Sequence, residues 1–167
     1  MKFKNKVALV TGAGRGLGAE IAKQFAKKGA AVVLVARTDS AINKIAEEIN
    51  STGGKAIACA ADISKEENVK SFVKKAIDTF GSVDILVNNA AVHKAIPIKD
   101  LSLEDWNYQI AVNLTGTFLC SREVLPSMMA NKFGKIINIS SSSAKYFFPG
   151  FGAYAASKGG IVSFSQT

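Results

Sequence analysis

Short apolar segments alternate with helical segments along the whole chain, and this alternation restricts the fold more than any other feature. The apolar segments are rich in Val, Ile and Ala on both faces, as the strands of a buried parallel sheet are. Strand–helix–strand repeats build such a sheet with helices on each side. The sequence therefore predicts an α/β fold of three layers around a doubly wound parallel sheet. The five predicted strands are Lys6–Val10, Ala30–Ala36, Lys55–Asp62, Val83–Ala90 and Gly134–Ser141.

The segments between the strands carry apolar residues at helical spacing. Ser64 is expected to cap the third helix, with Glu67 completing a capping box. A long helical stretch further on is expected to be interrupted around Pro126. The predicted helices are Ala19–Lys28, Ser40–Ser51, the segment from Ser64 to Phe80, Leu103–Met129 and a last helix from Tyr154 onward. No linker divides the chain, so residues 1–167 are predicted to form one domain.

The composition excludes several classes of protein. With 48% apolar and 20% charged residues, the chain has the balance of a globular protein and not of a disordered one. No apolar run approaches the ~20 residues of a membrane helix, and the run after the basic N-terminus is too short for a signal peptide. We therefore expect a cytoplasmic protein with no membrane partner.

The charge and the cysteines add two further expectations. The net charge is +8, but the lysines are scattered over helical segments, so a solvated face is expected instead of a nucleic-acid surface. Cys59 and Cys120 lie far apart and have no CxxC or His companion. We expect no metal site and no disulfide, and both thiols should lie in the core.

The segment "TGAGRGLG" follows the first predicted strand and precedes the first predicted helix. Glycines at positions 12, 14, 16 and 18 would let the backbone turn sharply and approach a pyrophosphate, whose charge would rest on the N-terminus of the helix. The alternative is a tight turn without a ligand. The spacing differs from the usual GxGxxG fingerprint, and no Lys-Ser/Thr pair makes it a P-loop.

Two arginines bear on the choice of cofactor. A dinucleotide domain that prefers NAD has an acidic residue after its second strand, whereas this chain has Ala36 and Arg37 there. Arg37 and Arg15 would suit a ribose 2′-phosphate, so NADP(H) is the preferred cofactor and NAD(H) a possible one. Each arginine alone would equally be a surface residue. Asp62 is expected either to contact the adenine or to form a turn.

Tyr154 and Lys158 lie four residues apart in "YAASK" and therefore on one face of the last helix. A nearby ammonium favours a phenolate, which would let the phenol give and take protons near neutral pH. Ser141, at the end of the fifth predicted strand, would donate a hydrogen bond to a substrate carbonyl. Taken singly, Tyr154 would be a packing residue, Lys158 a solvated charge and Ser141 part of a polar loop. A serine hydrolase is the chemical alternative, but "SSSSA" lacks a GxSxG elbow and His93 would be its base.

In order, "TGAGRGLG", Asp62, "NNAA", "NLTG", "INISS" and "YAASK" resemble the motifs of the short-chain dehydrogenase/reductase family, most closely its 3-oxoacyl-[acyl-carrier-protein] reductase branch. The resemblance implies a Rossmann-like domain in which Tyr154 is the acid/base, Ser141 orients the carbonyl, Lys158 binds the nicotinamide ribose and Asn113 holds a relay water. The cofactor residues that it implies are Gly12, Gly14, Arg15, Gly16, Leu17, Gly18, Arg37, Asp62, Ile63, Asn89, Ala90, Ala91, Tyr154 and Lys158.

Two departures from the family pattern shape the expectations. Ala91 stands where the family usually has glycine, and the chain ends at Thr167 within the last predicted helix. Further strands and a substrate-covering region of family members have no counterpart, so the C-terminal part of the fold is expected to be missing. A homo-oligomer, dimer or tetramer, is expected of a complete chain.

The sequence leaves two hypotheses about function. The first is an NADP(H)-dependent oxidoreductase that interconverts a small-molecule ketone and a secondary alcohol. The second is a truncated, non-catalytic nucleotide-binding or interaction domain. His93, Phe147, Phe148 and Phe151 are expected either to shape an apolar substrate cleft or simply to pack.

Overall fold

A computed structural model describes residues 2–167 and contains one five-stranded, fully parallel sheet in the order β3-β2-β1-β4-β5. The predicted α/β architecture is confirmed; β1 has the predicted length but lies one residue further along the chain, and the other four strands are shorter than predicted. The strands are β1 (Val7–Thr11), β2 (Ala31–Ala36), β3 (Lys55–Ala60), β4 (Ile85–Asn88) and β5 (Lys135–Asn138).

Helices cover both faces of this sheet, as in a doubly wound fold. They are α1 (Gly16–Lys27), α2 (Asp39–Ser51), α3 (Glu66–Phe80), α4 (Leu103–Ile110), α5 (Gly116–Ala130) and α6 (Gly152–Phe164). A π-helical turn, Ala111–Thr115, joins α4 to α5, and single 3₁₀ turns lie at Ile98–Asp100 and Ser142–Ala144. Within residues 2–167, no helix has the length and apolar character needed to cross a bilayer.

The period of two along the strands divides the core into two clusters. In β1, Val7 and Leu9 pack into the cluster that contains residues of α3 and α5. Ala8 and Val10 pack into the opposite cluster with α1 and α2. Both faces of β1 and β2 are thus buried, which explains why these strands are apolar at every position.

Two predictions about the helices are wrong. Lys65, not Ser64, precedes α3, and no side chain caps that helix. The Ser64 hydroxyl donates to Asp62 Oδ1 at 2.7 Å, while Glu67 pairs with Lys70. The carboxylate two residues earlier accepts the hydroxyl proton of Ser64 and holds that side chain away from the free N–H groups of the helix.

The predicted interruption at Pro126 is also wrong, because Pro126 lies inside α5 without ending it. Its neighbours Val124 and Met128 are buried, and their packing holds the helix although one backbone donor is absent. The irregular turn comes earlier, at Ala111–Thr115, where Asn113 is fully buried. Cys59 and Cys120 are both buried free thiols, as expected, and burial raises the pKa of Cys120 to about 12.

Candidate active site

A cleft of about 780 Å³ lies at the carboxyl ends of β1 to β4. It brings together most of the residues predicted to bind a cofactor: Gly12, Gly14, Arg15, Gly16, Leu17, Gly18, Arg37, Asp62, Ile63, Asn89, Ala90 and Ala91. A larger hollow of about 990 Å³ lies at the opposite end of the sheet, around Lys4–Val7 and Gly53–Lys55. Parallel sheets bind ligands beyond the carboxyl ends of their strands, so the smaller cleft is the candidate site.

The glycine turn between β1 and α1 depends on the absence of side chains at particular positions. Gly12 has φ of +66° and Gly16 φ of +55°, both in the left-handed region that glycine tolerates best. A Cβ at Gly18 would lie 2.3 Å from the Gly12 carbonyl oxygen. The turn therefore brings the N-terminus of α1 against β1, and no side chain caps that N-terminus.

Hydrogen bonds of Thr11 and Asn89 hold the glycine turn in place. Thr11 was not identified from the sequence. The Thr11 hydroxyl donates to the Val87 carbonyl and accepts from the N–H groups of Asn89 and Ala90 at 3.0 and 3.1 Å. Asn89 Nδ2 in turn donates to the Thr11 carbonyl at 3.0 Å. The only signal in the sequence was a hydroxyl residue that ends an otherwise apolar strand.

The two arginines lie on the rim of the cleft and are both exposed. Arg37 Nη1 donates to the Tyr108 hydroxyl at 2.8 Å. Asp62 Oδ1 accepts from the backbone N–H and the hydroxyl of Ser64, so this aspartate forms a turn while also lining the cleft. The structure thus contains the turn that was one of the two alternatives for Asp62; contact of Asp62 with the adenine stays a prediction.

Lys158 lies in the buried face of α6, and only 2% of the residue is exposed. Its Nζ donates to the Ile139 carbonyl at 2.7 Å and lies 5.7 Å from the centroid of the Tyr154 ring. Burial lowers the pKa of Lys158 to about 8. The lysine is thus not the solvated side chain of the alternative interpretation, and its ammonium group lies beside the phenol ring.

Ser141 precedes the turn Ser142–Ala144, and its Oγ accepts hydrogen bonds from the N–H and the hydroxyl of Ser143 at 3.2 and 3.0 Å. A serine hydroxyl has two acceptor positions and one donor. Because Ser143 occupies the acceptor positions, the Ser141 proton is left to donate outward. Ser143 is buried and was not identified from the sequence.

Asn113 connects three segments around the site. Its Oδ1 accepts from the Val92 N–H at 2.8 Å, and its Nδ2 donates to the Val92 carbonyl and to Ser157 Oγ. Ser157 Oγ donates to the Tyr154 carbonyl at 2.7 Å. The side chain therefore positions the loop after β4 and helix α6, and its role in holding a relay water stays a prediction.

A second set of polar residues, with Asn88 and Ser121 buried and Asn138 half-buried, joins β4 to β5. Asn88 Nδ2 donates to Asn138 Oδ1 at 2.9 Å and to Ser121 Oγ at 3.1 Å. Asn88 and Asn138 are register partners at the ends of their strands. The sequence contained the two asparagines, but pairing between strands distant in the chain could not be deduced from spacing.

The hydrolase alternative finds no support in the geometry. Ser141 hydrogen-bonds to Ser143, whereas the ring of His93 stacks on Phe151 with centroids 4.0 Å apart. Among residues 2–167, no hydrogen bond joins His93 to Ser141. A nucleophilic serine needs its base within hydrogen-bonding distance. The glycine turn and the parallel sheet instead define a nucleotide-binding α/β domain.

Comparison with known proteins identifies the family. The model of the short chain dehydrogenase family matches residues 6–167, so the chain belongs to that family. It is 39% identical over 163 residues to a 3-oxoacyl-[acyl-carrier-protein] reductase of Synechocystis sp., covering 97% of this chain and 66% of the relative. It is also 39% identical to the (2S)-[(R)-hydroxy(phenyl)methyl]succinyl-CoA dehydrogenase subunit BbsD of Thauera aromatica, covering 99% and 66%. The chain thus spans slightly less than two thirds of these curated relatives.

Two solved structures have the same fold. A metagenomic short-chain oxidoreductase in complex with NADP superposes with a TM-score of 0.95 at 38% identity, over 99% of this chain and 76% of that one. An NAD⁺-bound xylitol dehydrogenase gives a TM-score of 0.95 at 32% identity, over 99% of this chain and 64% of that one. The neighbours therefore include complexes with both cofactors.

Proposed function

We propose that this protein is an NADP(H)-dependent oxidoreductase that interconverts a ketone and a secondary alcohol by hydride transfer. The observation that carries the proposal is the buried Lys158 one helical turn from the half-buried Tyr154. Burying a lysine costs stability, and lysines with pKa values shifted by burial are concentrated at functional sites. Because the chain belongs to the short chain dehydrogenase family, hydride transfer is the function that we propose for this pair of residues.

The cleft fits a dinucleotide. Its glycine turn leaves the N-terminus of α1 without a side-chain cap and without an acidic residue in the first turn, as an incoming pyrophosphate requires. Arg15 and Arg37 add two guanidinium groups on the same rim. We infer that these arginines hold the 2′-phosphate of NADP(H) and so favour it over NAD(H).

The residues of α6 and of the loop after β5 would handle the proton. When bound, the nicotinamide supplies or accepts the hydride. Tyr154 gives a proton to the carbonyl oxygen, and Ser141, whose own proton is free to donate, hydrogen-bonds to that oxygen. Lys158 contacts the cofactor ribose and keeps a positive charge near the phenol. Asn113 keeps α6 in position through Ser157.

The substrate is proposed by analogy with the relatives. One of them is named a 3-oxoacyl-[acyl-carrier-protein] reductase, and we propose that class as a candidate for this chain. A cytoplasmic location and a homo-oligomeric state remain predictions from the sequence.

The direct test is consumption of NADPH, followed by its absorbance, with a panel of ketones and 3-oxoacyl thioesters. Cofactor binding is measured in parallel from NADPH fluorescence. We expect binding and turnover. Binding without turnover of any carbonyl would favour the non-catalytic alternative, and absence of binding would contradict both.

The arginine inference has its own test. Replacing Arg15 and Arg37 by Gln should weaken NADPH binding by about 20-fold, because each bond to a charged group contributes on the order of 1.5 kcal/mol and is partly screened at the surface. NADH binding should change less than twofold, since NADH lacks the 2′-phosphate. Equal losses for both cofactors would contradict the inference. Arg122→Gln, which removes an arginine paired with Glu66 outside the cleft, is the matched control.

A further inference from the structure

Four aromatic rings form a continuous surface beside the proposed acid/base, which we call the aromatic wall: Phe148, Phe151, His93 and Tyr154. The centroids of Phe148 and Phe151 lie 5.4 Å apart, and those of Phe151 and His93 lie 4.0 Å apart. His93 then contacts Tyr154 edge to face at 4.9 Å. The wall therefore ends at the phenol that would protonate a substrate.

Backbone contacts hold the wall in one arrangement. Gly150, with φ of +77°, accepts a hydrogen bond from the Ile96 N–H at 2.9 Å, which joins the loop before α6 to the loop after β4. A Cβ at Gly152 would lie 2.3 Å from the Ile98 side chain, so the two loops are in close contact. The wall is thus built from both loops and does not depend on a single mobile side chain.

The wall stays accessible to a ligand. His93 is exposed, and 40% of Phe148 is exposed. Phe151 and Tyr154 are half-buried, which leaves part of each ring uncovered. Lys94, the nearest cation in sequence, pairs with Asp105 and not with the wall. The surface next to the phenol is therefore aromatic, with rings tilted by 37° to 84° against one another, and the ammonium of Lys158 lies 5.7 Å from the centroid of the Tyr154 ring.

We propose that the aromatic wall binds an aryl group, so that an aryl ketone or the corresponding aryl-substituted secondary alcohol is the preferred substrate, ahead of the 3-oxoacyl thioester named above as a candidate. Offset and edge-to-face contacts between rings favour a flat aromatic substituent over a saturated one of equal size. Because Tyr154 closes the wall, a ring lying against Phe151 and His93 would place an attached carbonyl beside the phenol. The proposal rests on the proposed function, of which it specifies the substrate class.

The reaction balances with one proton from the solvent as its only further reactant. The carbonyl carbon gains the hydride of NADPH and the oxygen gains the proton of Tyr154. The ketone becomes a secondary alcohol, NADPH becomes NADP⁺, and Tyr154 recovers a proton from water.

The experiment compares acetophenone with cyclohexyl methyl ketone, which have the same carbon skeleton but differ in the aromaticity of the ring and in its conjugation with the carbonyl; the effect of conjugation is common to all protein variants. The ratio of the two kcat/KM values should favour acetophenone by about fivefold, as expected of one aromatic pair. Phe151→Leu should reduce that ratio to near one. Because Phe151 is half-buried, His93→Leu, at an exposed position, is the second variant and should lower the ratio about twofold. Phe118→Leu makes the same change at a ring 40% exposed on α5 and should leave the ratio unaltered.

A binding measurement separates this proposal from the proposed function. The affinities of 1-phenylethanol and 1-cyclohexylethanol for the NADPH-loaded protein, a combination that cannot transfer a hydride, should show the same preference, lost in Phe151→Leu. If no ketone is reduced but the aryl alcohol is preferred, the oxidoreductase proposal fails, and the binding of an aryl group by the wall stands without a substrate role. Equal affinities, or a preference that both wall variants retain, would overturn the wall proposal. A change of oligomeric state in the wall variants with an unchanged preference would also overturn it and would assign the wall to a second copy of the chain.

Discussion

The cleft proposed to bind the cofactor and the neighbouring group of proposed catalytic residues are constructed in different ways. On the cofactor side, between β1 and β3, the shape comes from backbone geometry: two glycines with positive φ and a helix that approaches its strand closely at Gly18. On the catalytic side, around β4, β5 and α6, it comes from hydrogen bonds between buried side chains, of which Asn113, Ser157 and Lys158 are the central ones.

This difference has a physical consequence. A backbone turn fails when a side chain is added, whereas a polar network fails when a side chain is removed and its buried partners lose their hydrogen bonds. The cofactor side should therefore be sensitive to small additions and the catalytic side to truncations. The strands show the same contrast, because β1 is buried along its whole length and β5 is exposed at alternate residues.

The largest expected effect comes from the cofactor side. Gly18→Ala should lower the free energy of unfolding by about 3 kcal/mol, since the added Cβ would lie 2.3 Å from a backbone oxygen that cannot move easily. Urea denaturation measures the change. Gly16→Ala is the matched control: its Cβ would meet nothing within 4 Å, so only the cost of the positive φ, about 1 kcal/mol, is expected. Equal losses of unfolding free energy in the two variants would contradict the claim that α1 approaches β1 too closely at Gly18 for a side chain.

Truncation on the catalytic side should have the next largest effect. Asn113→Ala removes three side-chain hydrogen bonds at a fully buried position and should cost about 2 kcal/mol. Asn43→Ala removes an exposed bond to Asp39 and should cost less than about 0.5 kcal/mol. If Asn113→Ala unfolds at the same urea concentration as the wild type, the network does not hold this side together.

The smallest effect is a dependence on pH. Because burial lowers the pKa of Lys158 to about 8, the folded chain releases this proton before the unfolded chain, whose lysines titrate near 10.4. The contribution of Lys158 to the free energy of unfolding should therefore rise between pH 8 and about pH 10.4, by on the order of 1 kcal/mol. Lys158→Met should show a correspondingly flatter rise than the wild type over this range. Lys74→Met, at a solvent-exposed lysine, should run parallel to the wild type, and parallel curves for all three proteins would contradict the expected shift.

The sequence predicted the regular part of this structure well. Apolar strands at β1 and β2, the glycine turn and the i, i+4 pair of Tyr154 and Lys158 are all local patterns, and each fixes its geometry through neighbouring residues. The burial of both cysteines was predicted because neither has a CxxC or His companion. Family membership followed from the order of the motifs.

What the sequence did not predict depends on contacts between distant segments. The Ser64 hydroxyl donates to Asp62 and does not cap α3. Helix α5 continues through Pro126 because the residues around it are packed. The pairing of Asn88 with Asn138, the support of Asn89 by Thr11 and the burial of Ser143 all require the folded sheet. Local propensity cannot identify such partners, because their separation along the chain carries no information about their contact.

The central claim is that Tyr154 transfers the proton while the cleft at the glycine turn binds the cofactor. The most direct measurement is therefore made on Tyr154→Phe, with NADPH affinity from fluorescence and carbonyl reduction from absorbance in the same preparation. We predict an NADPH affinity within about twofold of the wild type and turnover reduced by about 10²- to 10⁴-fold, the usual contribution of a general acid. Turnover equal to that of the wild type would contradict the account.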